Sequence, residues 1–192
     1  MTAPALAHRL TELVRADAAL MAALHAVREL GLASWCIGAG AVRNLVWDHL
    51  HGHSQPSALA DVDVAHFDPT DLRPERDAEL QAWLTERLPG LPWEVVNQAA
   101  VHLWYPAVFG QAVGPLRSLE EGLASWPEIA TAVGVCMHAD DTLQVIAPLG
   151  LDDLFVMVVR HNPRRVCGES YRQRLAQKRF TVRWPQVRVL AP

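Results

Sequence analysis

The sequence predicts an α/β (α+β) domain in which a mixed β-sheet is flanked by helices. Some segments carry apolar residues at three- and four-residue spacing, which is typical of helices. Between these segments are short apolar runs that end in glycine or polar turns, which is typical of strands. The predicted order is helix, strand, helix, strand, helix, strand, helix, hairpin, helix, helix. Because helices and strands alternate along the chain, a mixed sheet covered by helices is the architecture that this order favours.

Helical spacing of leucines and valines extends over residues 4–30, with a break near Asp17 and an end at Gly31. We therefore expect an N-terminal helical segment, 1–30, followed by a single compact domain, 31–192. The length of 192 residues is enough for one domain with a sizeable core.

The remaining elements follow from apolar patterns and turn residues. Ser118 and Glu121 form a capping-box pattern that opens a helix. The other expectations, by residue number, are a strand in 33–40, a helix in 41–52, a strand around 61–67, a helix in 75–88, a strand in the first half of 91–104, a loop over 105–117, a hairpin in 131–148, a buried helix in 150–160 and a basic helix over 169–180.

Charge and cysteine content exclude several classes of protein. The net charge is −4, with one dense basic segment near the C-terminus, so bulk charge does not favour a polyanion partner and we do not expect nucleic acid. Cys36, Cys136 and Cys167 are odd in number and far apart, which argues against a disulfide framework and for a reducing compartment. Neither a signal peptide nor an 18-residue apolar run is present, so we expect a cytoplasmic protein without membrane contact.

The segment IGAGAVRN reads as a strand, a glycine turn and a helix start. Gly38 and Gly40 leave backbone N–H groups free at a helix N-terminus, a geometry that accepts phosphate. The third glycine of a dinucleotide-binding fingerprint is absent, which disfavours an NAD-dependent enzyme. A tight connection without a ligand is the alternative interpretation of this turn.

Asp61 and Asp63 lie two residues apart, so their side chains leave the same face of a strand. Two carboxylates this close repel each other unless a cation lies between them, and Mg²⁺ prefers carboxylates together with phosphate oxygens. A solvated strand end is the alternative. The apolar residues Val62, Val64 and Phe67 indicate that the strand is partly buried.

The glycine turn followed by D-x-D resembles the nucleotidyltransferase fold of the DNA polymerase beta superfamily. The segments WCIGAGAVRNLVWDHLHG, LADVDVAHFDP, LPWEVVNQAAVH, SWPEIATAVGV and APLGLDDLF resemble, in order and spacing, a bacterial nucleotidyltransferase-like family that is largely uncharacterised. The resemblance extends from about Leu30 to Trp184 and Pro185. It implies that Asp61 and Asp63 hold Mg²⁺ or Mn²⁺.

The same resemblance implies roles for further residues. The triphosphate of a bound NTP would contact the glycine turn and the first helical turn, at Gly38, Ala39, Gly40, Arg43 and Asn44. Glu94 would be the third carboxylate, as a metal ligand or as the base that activates the attacking hydroxyl. Apart from the resemblance, the polar residues Asn97, Gln98 and His102 are candidates for contacts with the acceptor or a base; the alternative is that they serve only local hydrogen bonds.

The resemblance thus implies a Mg²⁺-dependent nucleotidyltransferase that moves an NMP from an NTP to a hydroxyl of a small-molecule acceptor. The alternative is a catalytically inactive nucleotide-binding or interaction module on the same fold. The basic C-terminal helix either reaches the triphosphate or only presents a solvated face.

Overall fold

A computed structural model describes residues 2–165 and 168–191, so Cys167 lies outside the described part of the chain. The helices are α1 Ala3–Ala16, α2 Ala18–Glu29, α3 Ala39–His51, α4 Pro74–Arg87, α5 Val101–Phe109, α6 Leu119–Leu123, α7 Asp152–Phe155, α8 Gly168–Lys178 and α9 Phe180–Arg183. The strands are β1 Trp35–Gly38, β2 Val62–His66, β3 Trp93–Asn97, β4 Gly134–Met137, β5 Leu143–Ile146, β6 Val158–Val159 and β7 Arg188–Val189. Short 3₁₀ helices cover Gln98–Ala100 and Ile129–Thr131.

Five strands form one mixed sheet in the order β3-β2-β1-β4-β5. Strands β2 and β3 are parallel, and the other neighbours are antiparallel. A separate parallel pair, β6 and β7, lies near the C-terminus. Helices α1 to α4 each contact this five-stranded sheet. The α/β fold with a mixed sheet flanked by helices is therefore confirmed.

The first two helices form where the leucine spacing predicts them. Leu6, Leu10 and Val14 are buried at four-residue intervals along α1. Asp17 separates the two helices, and its carboxylate accepts a 2.7 Å hydrogen bond from the N–H of Leu20, which caps α2. The break expected at Asp17 is thus an N-cap.

A second part of the core joins α3 to the C-terminus. Trp47 and Trp184 are fully buried, with ring centroids 5.2 Å apart, and Phe180 packs edge-on against Trp47. The indole N–H of Trp184 donates a 2.7 Å hydrogen bond to the carboxylate of Asp48. These contacts hold the C-terminal segment against α3, the helix that begins at the glycine turn.

The expected loop over 105–117 is wrong at its start, because helix α5 extends to Phe109. The side chain of Asn97 accepts a hydrogen bond from the N–H of Ala99, which starts the helical backbone at the end of β3. Gly110, with φ 67°, ends α5 in the left-handed conformation, and Pro106 is accommodated inside it.

The expected helix in 150–160 is much shorter than predicted. Helix α7 ends at Phe155, and Met157 adopts φ 54°, which a continuing helix does not allow. The β-branched residues Val158 and Val159 then pair with β7. Within the described part of the chain, no helix is long and apolar enough to span a membrane.

Candidate functional site

Two predicted carboxylates meet on neighbouring strands. Asp63 lies in β2 and Glu94 in β3, and the register places their Cα atoms opposite each other. Directly paired residues project to the same face of a sheet, so both side chains lie above β2 and β3. Asp61 lies just before β2 and, two residues from Asp63, shares this face.

The electrostatics of this group favour a cation. Burial, and then the nearby charges of Asp61 and Glu94, raise the pKa of Asp63 to about 6. Lys178 and Arg174 on α8 oppose this effect, which shows that α8 brings positive charge close to Asp63. The site therefore combines a group of carboxylates with facing basic side chains.

The glycine turn lies beside these carboxylates. An added methyl group on Gly40 would lie 3.6 Å from Oδ1 of Asp61 and 3.8 Å from Nη2 of Arg43. Ala39, between the two glycines, has φ 47°, a strained conformation for a residue with a side chain, and its N–H donates to the carbonyl of Val133. The start of α3 is thus held next to Asp61.

Gly38 has a packing role that the sequence did not indicate. A methyl group there would lie 2.7 Å from the carbonyl oxygen of Val133 and 2.8 Å from the ring of Trp126. The backbone of β1 approaches these neighbours too closely for any side chain. Its contact with a triphosphate stays a prediction.

Arg43 is buried, with 3% of its surface exposed. Its guanidinium lies over the rings of Trp47, Phe180 and Trp184 at 5.4, 5.0 and 5.8 Å. It donates hydrogen bonds to Thr131 and to Asn44, whereas Nε has no partner among the described residues. Burial lowers the pKa of Arg43 to about 10.

Arg43 and its partner Asn44 therefore lie beneath the glycine turn. Direct contact of either residue with a nucleotide stays a prediction.

The candidate acceptor contacts have separate surroundings. Asn97 donates to the carbonyls of Asp68 and Asp71 and accepts from two backbone N–H groups, so its amide holds the turn after β2. Gln98 is buried and lines a cleft next to Glu94. His102 is partly buried, and its Nδ1 has no hydrogen-bond partner among the described residues.

This cleft, of about 380 Å³, was not expected from the sequence. Its floor is formed by Ala65 and Val96, and Asp63 and Glu94 lie at one end. We call it the aromatic cleft, because its walls include the aromatic side chains of Trp104, Tyr105, Phe109 and Trp126.

The aromatic cleft is also lined by Arg165, next to Tyr105, and by residues of α8, among them Arg174. Arg174 forms an ion pair with Glu128, whose side chain is fully buried. This pair attaches α8 to the start of the 3₁₀ helix Ile129–Thr131. The sequence singled out the basic helix but left its position open.

The residues present fit a divalent cation by their chemistry. In residues 2–165 and 168–191, no three His, Cys, Asp or Glu side chains converge as a ready-made metal site. Mg²⁺ is usually held by one or two carboxylates plus substrate phosphates, which matches Asp61 and Asp63 beside an open glycine turn. Burial is the main reason that the pKa of Asp63 is raised, and repulsion from Asp61 and Glu94 adds to it; a cation would offset that repulsion.

Solved structures of known proteins share this architecture. One, described as revealing a CCA-adding enzyme head domain, matches with a TM-score of 0.80 and 28% identity over 96% of each chain. A tRNA-processing enzyme in an apo form matches with a TM-score of 0.50 and 21% identity, over 88% of this chain and 44% of its own. The second likeness shows the fold alone. No curated protein matches the sequence.

These comparisons correct one expectation. The net charge led us not to expect a nucleic-acid partner, but the similar structures are a CCA-adding enzyme head domain and an enzyme described as processing tRNA. That expectation was therefore wrong. The net charge is a sum over the whole chain, so it does not show whether basic residues cluster in one segment.

The family comparison agrees with the geometry of the carboxylates and the glycine turn. A family model described as nucleotidyltransferase matches residues 25–189, which includes β1 to β7 and both predicted motifs. This chain belongs to that nucleotidyltransferase family.

Proposed function

We propose that this protein transfers an NMP from an NTP to a hydroxyl group, with a divalent cation, Mg²⁺ or Mn²⁺, held by Asp61 and Asp63. The observation that carries the proposal is the position of Asp63. It is partly buried, lies opposite Glu94 and next to Asp61, and belongs to the strand that neighbours the glycine turn.

The triphosphate would bind at the glycine turn, over Gly38, Ala39 and Gly40. The positive end of the α3 dipole favours phosphate at this position, although the N–H of Ala39 is already bonded to the carbonyl of Val133. Lys178 would add positive charge from α8, since it acts on Asp63 electrostatically, whereas Arg174 is already paired with Glu128. The negative nucleotide would then lie between α3 and α8.

The cation, when bound, would neutralise charge on the phosphates of the NTP and on the leaving pyrophosphate. The hydroxyl oxygen of the acceptor forms a bond to the α-phosphorus, and the bond from that phosphorus to pyrophosphate breaks. Glu94 either accepts the proton of the hydroxyl or completes the ligand set; its exposed side chain next to Asp63 is accessible for both roles.

One similar structure supports a nucleic acid as the first acceptor class to test. Since the chain resembles a CCA-adding enzyme head domain over nearly its whole length, a nucleic-acid hydroxyl is the first acceptor to test. Small hydroxyl compounds form the second set. The fold supplies the reaction class, and the acceptor must be found by assay.

The test is pyrophosphate release from each of the four NTPs, with and without Mg²⁺, in the presence of single-stranded RNA or of pooled small hydroxyl compounds. We expect release that needs metal and acceptor and that falls at least about 100-fold in Asp61→Asn/Asp63→Asn. Asp152→Asn, an exposed carboxylate on α7, is the matched control. If nucleotide binds but no acceptor yields pyrophosphate, the protein is instead a non-catalytic nucleotide-binding module.

A further inference from the structure

The aromatic cleft extends from the carboxylates over β2 and β3, and it meets the glycine turn at Trp126, whose ring lines the cleft and lies 2.8 Å from the position of a methyl group on Gly38. The turn follows β1, whereas the cleft floor is formed by Ala65 of β2 and Val96 of β3. In the sheet order β3-β2-β1, Asp63 on the middle strand lies between the two. The turn and the cleft are therefore adjoining parts of one site, with the turn on the β1 side of Asp63 and the floor of the cleft on the Glu94 side.

This arrangement predicts the side from which the attacking hydroxyl approaches the α-phosphorus. In an in-line displacement, the attacking oxygen approaches the phosphorus from the side opposite to the leaving group. The proposed function places the leaving pyrophosphate at the glycine turn, so the attacking hydroxyl arrives from the side of Glu94 and the aromatic cleft. The cleft is therefore the compartment in which the acceptor would lie.

The walls of the cleft select for flat, apolar rings. Tyr105 and Phe109 have ring centroids 4.5 Å apart, and Trp104 lies 5.9 Å from Tyr105. Trp104 and Phe109 are 39% and 55% exposed. Large apolar side chains exposed together mark binding surfaces, and aromatic side chains stack well on nucleobases.

Charge next to the cleft favours a polyanionic acceptor. Residues 160–192 contain nine Lys and Arg and one acidic residue, Glu169, in a chain whose net charge is −4. Arg165 lines the cleft, and its guanidinium lies 5.2 Å from the ring of Tyr105. A nucleic-acid strand uses both kinds of group, because its bases stack on aromatic rings and its phosphates contact cations.

We infer that the aromatic cleft binds the 3′-terminal nucleoside of a nucleic-acid acceptor, an inference that rests on the proposed function. Its base stacks on Trp104 and Phe109, and its terminal hydroxyl points toward Glu94. The preceding phosphate lies next to Arg165, which lines the cleft.

Trp104→Ala tests the stacking. Binding of a short, fluorescent single-stranded RNA is measured by anisotropy without NTP or metal, and binding of a labelled ATP with Mg²⁺ is measured separately. We expect RNA to bind about 5- to 150-fold more weakly, the loss that one base–aromatic stack gives, while ATP binding stays unchanged. Trp83→Ala is the matched control, because Trp83 is 37% exposed, lies on α4 and does not line the cleft.

Arg165→Gln tests the charge. The slope of log K for RNA against log salt should become less steep by about 0.7, as expected for one lost phosphate contact with a single strand. Arg76→Gln, on α4 and away from the cleft, should leave the slope unchanged.

The outcomes separate this inference from the proposed function. If Trp104→Ala weakens ATP binding and leaves RNA binding intact, the cleft holds the base of the NTP and the inference is wrong. If Trp104→Ala changes the affinity for neither RNA nor ATP, the cleft does not bind a nucleoside and the inference is wrong. If wild type binds no ATP with Mg²⁺, the proposed reaction itself fails, whatever RNA does.

Discussion

Asp63 and Glu94 are direct neighbours across the parallel strands β2 and β3. The two residues are far apart in sequence, with helix α4 between their strands, yet the register places both carboxylates on one face of the sheet. Burial raises the pKa of Asp63, and the charges of Asp61 and then of Glu94 raise it further. A repulsive cluster of this kind is costly for the free protein and favourable for a protein that binds a cation.

Stability without metal should fall as the pH rises from about 4 to about 6. The folded protein holds a proton on Asp63 up to about pH 6, above the ordinary aspartate value of 3.8, so the folded state binds more protons in this window. Asp63→Asn should therefore stabilise the metal-free protein at pH 7, by about 1–3 kcal/mol. Urea unfolding in EDTA at pH 4 to 8 measures both effects; a variant less stable than wild type at pH 7 contradicts this electrostatic account.

Glu94→Gln should remove turnover without affecting the fold. Glu94 is exposed, so amide replacement leaves the sheet intact, but the amide cannot accept a proton. We expect the rate of pyrophosphate release to fall by about 100-fold or more, with a much smaller change in NTP affinity. Glu86→Gln, an exposed glutamate on α4, is the control. Unchanged turnover in Glu94→Gln would exclude Glu94 as base or ligand.

The two glycines of the turn should respond differently to alanine. Gly38→Ala places a methyl group against Val133 and Trp126 at 2.7–2.8 Å, so it should destabilise the protein by about 1–3 kcal/mol or more. Differential scanning calorimetry measures this loss. A melting temperature equal to that of wild type would show that the backbone relaxes around the added methyl group.

Gly40→Ala should leave the protein folded and weaken nucleotide binding. The nearest atoms to the new methyl group lie 3.6 and 3.8 Å away, and alanine favours a helix by about 1 kcal/mol over glycine. The methyl group would, however, occupy space between the turn and Asp61. Titration with labelled ATP and Mg²⁺ should show a higher Kd; an unchanged Kd would place the triphosphate elsewhere.

Local patterns predicted the elements that frame the carboxylates. Asp17 as a helix boundary, Ser118 as the cap of α6 and the hairpin of β4 and β5 depend on short-range hydrogen bonds and apolar spacing. Each side chain acts within a few residues of its own position. Such features can be inferred without knowledge of the tertiary structure.

The aromatic cleft could not be predicted in this way. It forms because α5 and α8, far apart in sequence, cover the same face of β2 and β3. Tyr105 to Phe109 looked like loop, since Pro106 and Gly110 obscured the helical signal of α5. The basic segment was visible in the sequence, but only the ion pair of Arg174 with the buried Glu128 shows which face it covers.

Thermal unfolding with each of the four NTPs, with and without Mg²⁺, tests the central claim most directly. The comparison is between wild type, Asp61→Asn/Asp63→Asn and the control Asp152→Asn. At about 100 times its Kd, a nucleotide adds about 2.7 kcal/mol of stability, which is an easily measured shift in Tm. We predict a shift that needs Mg²⁺, that persists in the control and that disappears in the double variant. A wild-type protein that no nucleotide stabilises, or a shift that survives loss of both aspartates, would contradict the assignment of this site.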